Sequence, residues 1–257
     1  MLKRTKLIII FAFSAKNKNW NFYQILFQIN LSLAYYYYDN NPLTMTVQTF
    51  IFNSFQLNTY LVYDETKEAI IIDAGNSNSQ EDDVLFSFIK SNELSIKGLY
   101  YTHAHVDHIL GNNSIIKKYN LKSTAHIDSV LFFETASSYA PSLGLEVNDP
   151  IYPKQFIDDG DDIKFGNSKL KVIFTPGHAD GSLCFYSEDE QFIIVGDVLF
   201  RDSIGRTDLP TGDYDILMDS IKNRLFTLPN GVKVFPGHGP TTTIGYEKMN
   251  NPFINFR

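Results

Sequence analysis

The chain has six histidines, and five of them stand where an apolar, strand-like run has just ended beside Gly, Pro or Asp. After Lys97-Gly-Leu-Tyr-Tyr comes Thr102-His-Ala-His-Val-Asp-His, which places His103, His105, Asp107 and His108 within six residues. Imidazole nitrogens and carboxylates are the donors that borderline divalent ions such as zinc accept. A loop leaving a strand can turn alternate side chains towards one point, so the spacing is a chelating one. Taken alone, the run would also suit a solvated His-rich loop with adventitious metal affinity. Three further segments weigh against that. Thr175-Pro-Gly-His178, Val195-Gly-Asp197 and Phe235-Pro-Gly-His238 each set one ligand-type residue just after an apolar strand, with Gly allowing a tight turn.

No serine or cysteine nucleophile is signalled beside these donors. Cys184 lies inside the strand-like run Leu183-Cys-Phe-Tyr and reads as a small core residue. As the single cysteine, it can form no intramolecular disulfide and no Cys-rich zinc site. The isolated His126 reads as structural or surface.

These residues need elements to position them. A chain of 257 residues with 44% hydrophobic and 20% charged side chains can bury one sizeable core. Val47–Phe52, Thr59–Tyr63 and Ala69–Ile72 are β-branched or aromatic runs separated by turn residues, which predicts a β-meander. Residues Asp83–Ser91 follow a period near 3.6 and predict a helix, and Lys97–Tyr101 returns to strand character. Further helices are expected at Ile115–Tyr119, Ser129–Ser138 and, as the last, Tyr214–Leu225. Buried strands are expected at Lys169–Phe174, Leu183–Tyr186, Phe192–Val195 and Val232–Phe235. The mixture suits sheets with helices on their outer faces.

Composition shifts near Met45. Residues 1–44 hold Lys3, Arg4, Lys6, Lys16 and Lys18 against Asp39, a net of +4, which leaves −11 for the remainder of a chain whose total is −7. That acidic remainder repels phosphate backbones and argues against nucleic acid as a partner. The segment also carries 10 of the 37 aromatics and the runs Leu7-Ile-Ile-Ile and Tyr35-Tyr-Tyr-Tyr. Three origins compete for it: a short signal with a small-residue site at Ala12-Phe13-Ser14, an interfacial anchor, or A/T-rich untranslated sequence read as codons. The apolar stretch Leu7–Phe13 is far below the roughly 20 residues that span a bilayer, so stable membrane insertion is not expected. We favour the untranslated reading, because Met45 opens directly into the first strand. A dispensable extension 1–44 and one domain 45–257 are expected, in a cytoplasmic protein, or an exported one if residues 1–14 act as a signal.

Over residues 45–257 the combined motifs resemble those of the metallo-β-lactamase superfamily, a His-x-His-x-Asp-His loop followed by separate His, Asp and His residues. The resemblance implies an α/β fold, the αββα sandwich of two mixed sheets with helices on the outer faces, and a site along one edge of the sheets. It implies two divalent metal ions, zinc or else iron or manganese. His103, His105 and His178 would hold one, Asp107, His108 and His238 the other, and Asp197 would bridge them. Two cations roughly 3.5 to 4 Å apart can share a water, lower its pKa towards neutrality and polarise a carbonyl, so a metal-bridging hydroxide would be the nucleophile in hydrolysis of an acyl compound. Asp107, the ligand carboxylate not committed to bridging, would take its proton.

Within the superfamily, lactamases with two zincs usually carry Arg for the loop's last histidine and a later cysteine ligand, where this chain has His108 and Asp197. Flavodiiron-type members carry Glu where His105 stands. RNA-processing members need basic tracts that an acidic core does not provide. Gly196-Asp-Val-Leu-Phe, Gly205-Arg-Thr-Asp-Leu-Pro-Thr-Gly-Asp and Phe235-Pro-Gly-His-Gly-Pro-Thr-Thr-Thr-Ile-Gly-Tyr-Glu are similar to the glyoxalase II-like hydrolases, in particular the short, single-domain bacterial type. That implies a monomeric or weakly associated thioesterase acting on a small molecule such as S-lactoylglutathione or a related acyl-thiol. Longer glyoxalases II end in a basic helical extension that grips glutathione. Here only Glu247–Arg257 follow the last motif, which leaves the thiol open. Arg206 stands near the place where the longer enzymes carry a substrate-binding cation; a loop salt bridge to Asp208 or Asp213 is the equal alternative. For Arg201 a structural role is the better reading.

Two other functions compete. A mono-iron persulfide dioxygenase of the same fold would use only His103, His178 and Asp197, a two-histidine, one-carboxylate face. A non-catalytic binding module would use metal only to hold its fold. Seven filled ligand positions exceed the four that a structural site needs.

Overall fold

The computed structural model describes residues 45–145 and 147–255, so the readings of residues 1–44 as signal, anchor or untranslated leader lie outside the described residues. Two six-stranded mixed sheets face each other. The first has strand order β1 (Thr46–Phe52), β2 (Leu57–Tyr63), β3 (Glu68–Ile72), β4 (Ser95–Tyr100), β5 (Ser123–Ala125) and β6 (Gln155–Phe156). Pairing is antiparallel through β3 and parallel from β3 to β6. The second sheet runs β14 (Thr242–Thr243), β13 (Lys233–Pro236), β10 (Phe192–Gly196), β9 (Leu183–Ser187), β8 (Ser168–Phe174) and β7 (Asp162–Phe165). Its β10 and β13 are parallel, and a small ribbon pairs β11 (Leu199–Phe200) with β12 (Ser203–Ile204).

The central strands β2, β3, β9 and β10 are buried on both faces because both faces are covered, whereas β7 and β8 alternate exposed Asp or Lys with buried apolar residues. Tyr60, Val62, Ile70 and Ile72 meet Leu170, Val172, Leu183, Phe185, Ile194 and Phe235 between the sheets. The alternate residues Leu61, Ala69 and Ile71 pack outward under helices α1 (Ser79–Ser91), α3 (Asn112–Tyr119) and α4 (Val130–Tyr139). On the far side Cys184, Ile193, Val195 and Val234 pack under α5 (Tyr214–Ser220) and α6 (Ile244–Asn250). Each of the Val, Leu, Ile and Phe side chains among them contributes about 1.5–3 kcal/mol by leaving water. The result is the αββα sandwich that the motifs implied.

Two helix readings need correction. α1 begins at Ser79, not Asp83, because Asn78 Oδ1 accepts the Gln80 and Glu81 N–H groups at 3.0 Å each and starts the helix a turn before its apolar stripe. Tyr214–Leu225 is not the last helix, nor is it all α: α5 passes at Ile221–Leu225 into a π-helical turn, and α6 follows later. The Thr243 side chain accepts the Tyr246 N–H at 3.1 Å and starts α6 despite Gly245. The buried Glu247 of α6 accepts from Asp202 N, Asn251 Nδ2 and Thr242 Oγ1, which pins the helix to the sheet. Among the described residues no helix is long and apolar enough to cross a membrane.

Candidate metal centre

The strands that carry candidate ligands all empty at one edge of the sandwich. β4 leads into the His103 loop, β8 into His178, β10 into Asp197 and β13 into His238. Backbone bonds tie these loops together: Thr102 C=O accepts from Leu183 N–H, Gly196 C=O from Gly237 N–H, and Gly237 C=O from Asn58 N–H, each at 2.7 Å. The first loop changes conformation halfway. His103 and His105 lie on an extended stretch, so both reach the same side, and the one-turn helix α2 (Val106–Ile109) then swings Asp107 and His108 to a second point. Gly177 has φ +119, and any Cβ there would strike the Leu217 backbone, so only glycine lets His178 reach the cluster.

All seven predicted residues come together. His105 Nδ1 lies 3.1 Å from His103 Nε2 and 3.0 Å from His178 Nε2. His238 Nε2 lies 3.2 Å from Asp107 Oδ2, and His108 Nε2 lies 3.7 Å from the same oxygen. Asp197 stands between these groups, with Oδ1 3.6 Å from His108 Nε2 and Oδ2 3.7 Å from His178 Nε2 and 3.5 Å from His238 Nε2. His103–His105–His178, Asp107–His108–His238 and His103–His108–Asp197 each offer ligand atoms within 4.8 Å of one another.

Three of the five histidines have their outward ring nitrogen occupied, which turns Nε2 inward. His178 Nδ1 is 2.7 Å from the Arg206 carbonyl, His238 Nδ1 is 3.0 Å from the Phe55 carbonyl, and His103 Nδ1 is 3.2 Å from Thr102 Oγ1. A carbonyl partner fixes Nδ1 as the protonated nitrogen and Nε2 as the lone-pair donor. His108 Nε2 and Asp197 Oδ1 are buried with no hydrogen-bond partner. Buried ligand-type atoms left without hydrogen-bond partners beside clustered imidazoles fit cations, since leaving such groups unmet is costly.

Electrostatics divide the cluster. Burial, and then the neighbouring histidines, hold His103 well below the ordinary histidine range and His105 at about 3. Burial also lowers His178, partly offset by Asp197. For His108 and His238 burial works the same way, but the carboxylates win: Asp107, Asp73 and Asp197 raise His108 well above the range, and Asp107 raises His238. Asp107 and Asp197 stay carboxylates because the histidines outweigh their burial.

Other residues at the site gave no clear sign in the sequence. Asp73, fully buried after β3, sets Oδ2 3.0 Å from His108 Nδ1, in ion-pair rather than hydrogen-bond alignment, and accepts from Thr102 N at 2.8 Å and Thr102 Oγ1 at 2.7 Å. Asn53 Nδ2 donates to Gly75 O and Asp107 O, both at 3.0 Å, and so fixes α2. Arg206 lines the cavity over the cluster, but its guanidinium is held bidentately by Asp208 at 2.9 and 2.8 Å. Arg201 pairs with Asp202 and lies over the Tyr246 ring, and His126 stacks on Phe174; neither is in the cluster. Cys184 is fully buried in β9.

The fold and the His/Asp cluster define a metallo-hydrolase class whose site fits a pair of divalent metal ions. The chain matches the metallo-beta-lactamase superfamily over residues 53–238 and belongs to it. It is similar to hydroxyacylglutathione hydrolase GloC of Haemophilus influenzae, 33% identical over 213 residues that cover 82% of this chain and 99% of that protein. Among solved structures it resembles the BLEG-1 B3 metallo-beta-lactamase (TM-score 0.76, 31% identity, 82% of this chain and 100% of that one). It also resembles TTHA1623 in a di-iron-bound form (TM-score 0.72, 33% identity, 81% and 99%).

Proposed function

We propose that the protein is a glyoxalase II-like thioesterase, hydrolysing S-lactoylglutathione or a related acyl-thiol with two divalent metal ions, zinc in the first instance. One observation carries the reading beyond a metal that merely holds the fold. His105, Asp107, His178, Asp197 and His238 all line one open cavity of about 330 Å³, whereas a structural site is closed around its ion. Relatedness to GloC supports the thioester as substrate.

In this reading His103, His105 and His178 hold one ion, Asp107, His108 and His238 the other, and Asp197 spans both. Bound there, the ions would supply an acidified water and polarisation of the substrate carbonyl. The chain's own groups do the rest. The fixed Nδ1 contacts of His178 and His238 hold their rings in place, and Asp107, which borders the cavity, receives the proton that the attacking water loses. A C–O bond forms to the acyl carbon and the C–S bond breaks. The thiolate takes the proton from Asp107, so the products are a carboxylate, a thiol and the one proton that the acid releases. Arg206 offers the thiol carrier a cation at the cavity wall in exchange for Asp208.

The test is metal quantification on protein purified without added metal, followed by a thioester panel. Two metals per chain and thiol release are expected, with both activity and metal lowered in His105→Ala and Asp107→Ala. Unchanged turnover in variants that have lost their metal would overturn the mechanism. One iron per chain with oxygen uptake on a persulfide would replace hydrolysis by the dioxygenase chemistry.

A further inference from the structure

Beside the metal cavity lies a second cavity of about 340 Å³, and the two share His105, Val106, Tyr139 and Leu209 as walls. Leu131, Phe132 and Ala136 of α4 and the loop residues Leu209 and Pro210 supply its apolar surface. The Phe132 ring stands edge-on to the His105 imidazole, with centroids 5.2 Å apart, so the side cavity begins where the metal cluster ends. No Asp, Glu, Lys or Arg is among the described residues that line it. Arg206 lines the metal cavity alone and lies outside the apolar one.

From this asymmetry we infer that the side cavity is an acyl pocket: the substrate is a thioester whose acyl group is apolar and extends past His105 between α4 and the Leu209–Pro210 turn. The inference rests on the thioesterase reading and narrows it. Of the hydroxyls at its walls, those of Thr135 and Ser138 already donate to the Leu131 and Thr135 carbonyls and that of Thr211 accepts the Asp180 N–H, so a polar acyl group would find few open partners there, whereas each methylene gains from burial. The polar thiol carrier takes the opposite side, where Arg206 and open solvent meet it. A volume near 340 Å³ falls in the range of small-molecule pockets and exceeds what an acetyl or lactoyl group fills.

The test uses the full metal-loaded chain and thioesters of one thiol with acetyl, lactoyl, butanoyl and hexanoyl groups. In parallel, calorimetry measures binding of the matching ketones, which carry CH2 in place of sulfur and cannot be cleaved. Both kcat/KM and ketone affinity should rise about two- to fourfold per methylene. Leu131→Asp and Thr135→Phe alter exposed positions of α4 that line the pocket, and in both the rise should collapse to less than twofold across the series. A flat series in the unaltered chain overturns the acyl pocket, as does a rise that survives both substitutions. If the flat series comes with mass that grows with concentration, the cavity belongs to a second copy. Failure to cleave any thioester while the ketone gradient persists would sink the thioesterase reading and keep the pocket, so the two can fail separately.

Discussion

Asp73 makes the site's geometry testable without touching a proposed ligand. Its carboxylate is fully buried, accepts two hydrogen bonds from Thr102 and faces His108 Nδ1 at 3.0 Å. The backbone at Asp73 is left-handed, φ +58, a region that asparagine tolerates well. Asp73→Asn therefore keeps shape and backbone and removes only charge and one acceptor. The new amide must turn an N–H towards Thr102 or His108, both of which already present donors. One buried unmet donor costs about 1–3 kcal/mol, and breaking a buried charge contact brings the loss to about 3–5 kcal/mol. For a domain of this size that is a fall in Tm of roughly 6–20 °C. His108 also loses the carboxylate that orients it and raises its basicity, which corresponds to about 10- to 100-fold in metal affinity. Thermal unfolding and titration against a competing chelator read the two effects separately. If Asp73→Asn bound metal within twofold of the unaltered chain, Asp73 would be a support for the Thr102 turn alone, and the positioning argument would be wrong.

Other perturbations probe the neighbouring contacts. A Cβ on Gly237 would collide with Asp197 Oδ1 and come within 3.0 Å of His108 Cε1, so Gly237→Ala should displace the carboxylate and lower turnover about 100-fold; intact metal content and activity would contradict this. In the chelated protein His103, His105 and His178 are neutral when folded and take up protons when unfolded, because burial depresses all three. Stability should therefore fall as pH drops below about 6.5, with His105 alone contributing up to about 1.4 kcal/mol per pH unit until its folded value near 3, and a Tm flat between pH 6.5 and 5 would refute it. His108 and His238, raised by their carboxylates, work in the opposite sense near pH 6.5, where the unfolded imidazoles are only half protonated, but they are outnumbered by the three depressed histidines and their offset fades towards pH 5. Burial pushes the Cys184 thiol up to about 12, and it sits 3.2 Å from Thr175 Oγ1, so thiol reagents should label it only in denaturant; rapid labelling of the native chain would place it elsewhere.

The parts of the site that were legible in the sequence are those whose chemistry depends on residue type. His or Asp stands at 103, 105, 107, 108, 178, 197 and 238, metal-ligating types in four segments that each come after a strand, so type and position coincided. What stayed hidden depends on geometry. Phe55 and Arg206 hold ring nitrogens through backbone carbonyls, which every residue carries, so no side chain could announce them. Asp73 was closer to legible: Ile70-Ile-Ile-Asp repeats the pattern of a carboxylate just past a buried strand that singled out Asp197, but without a neighbouring histidine it reads as a turn. The acyl pocket had a signal too. Val130-Leu-Phe-Phe sets four apolar residues in a row on a helix, and a helix with one buried face can hide only part of such a run. Phe133 goes into the core at 1% exposure, whereas Leu131 is left 55% exposed. An apolar side chain facing away from the core, on a helix that borders the His103–His108 loop, is what a substrate with an apolar arm would meet.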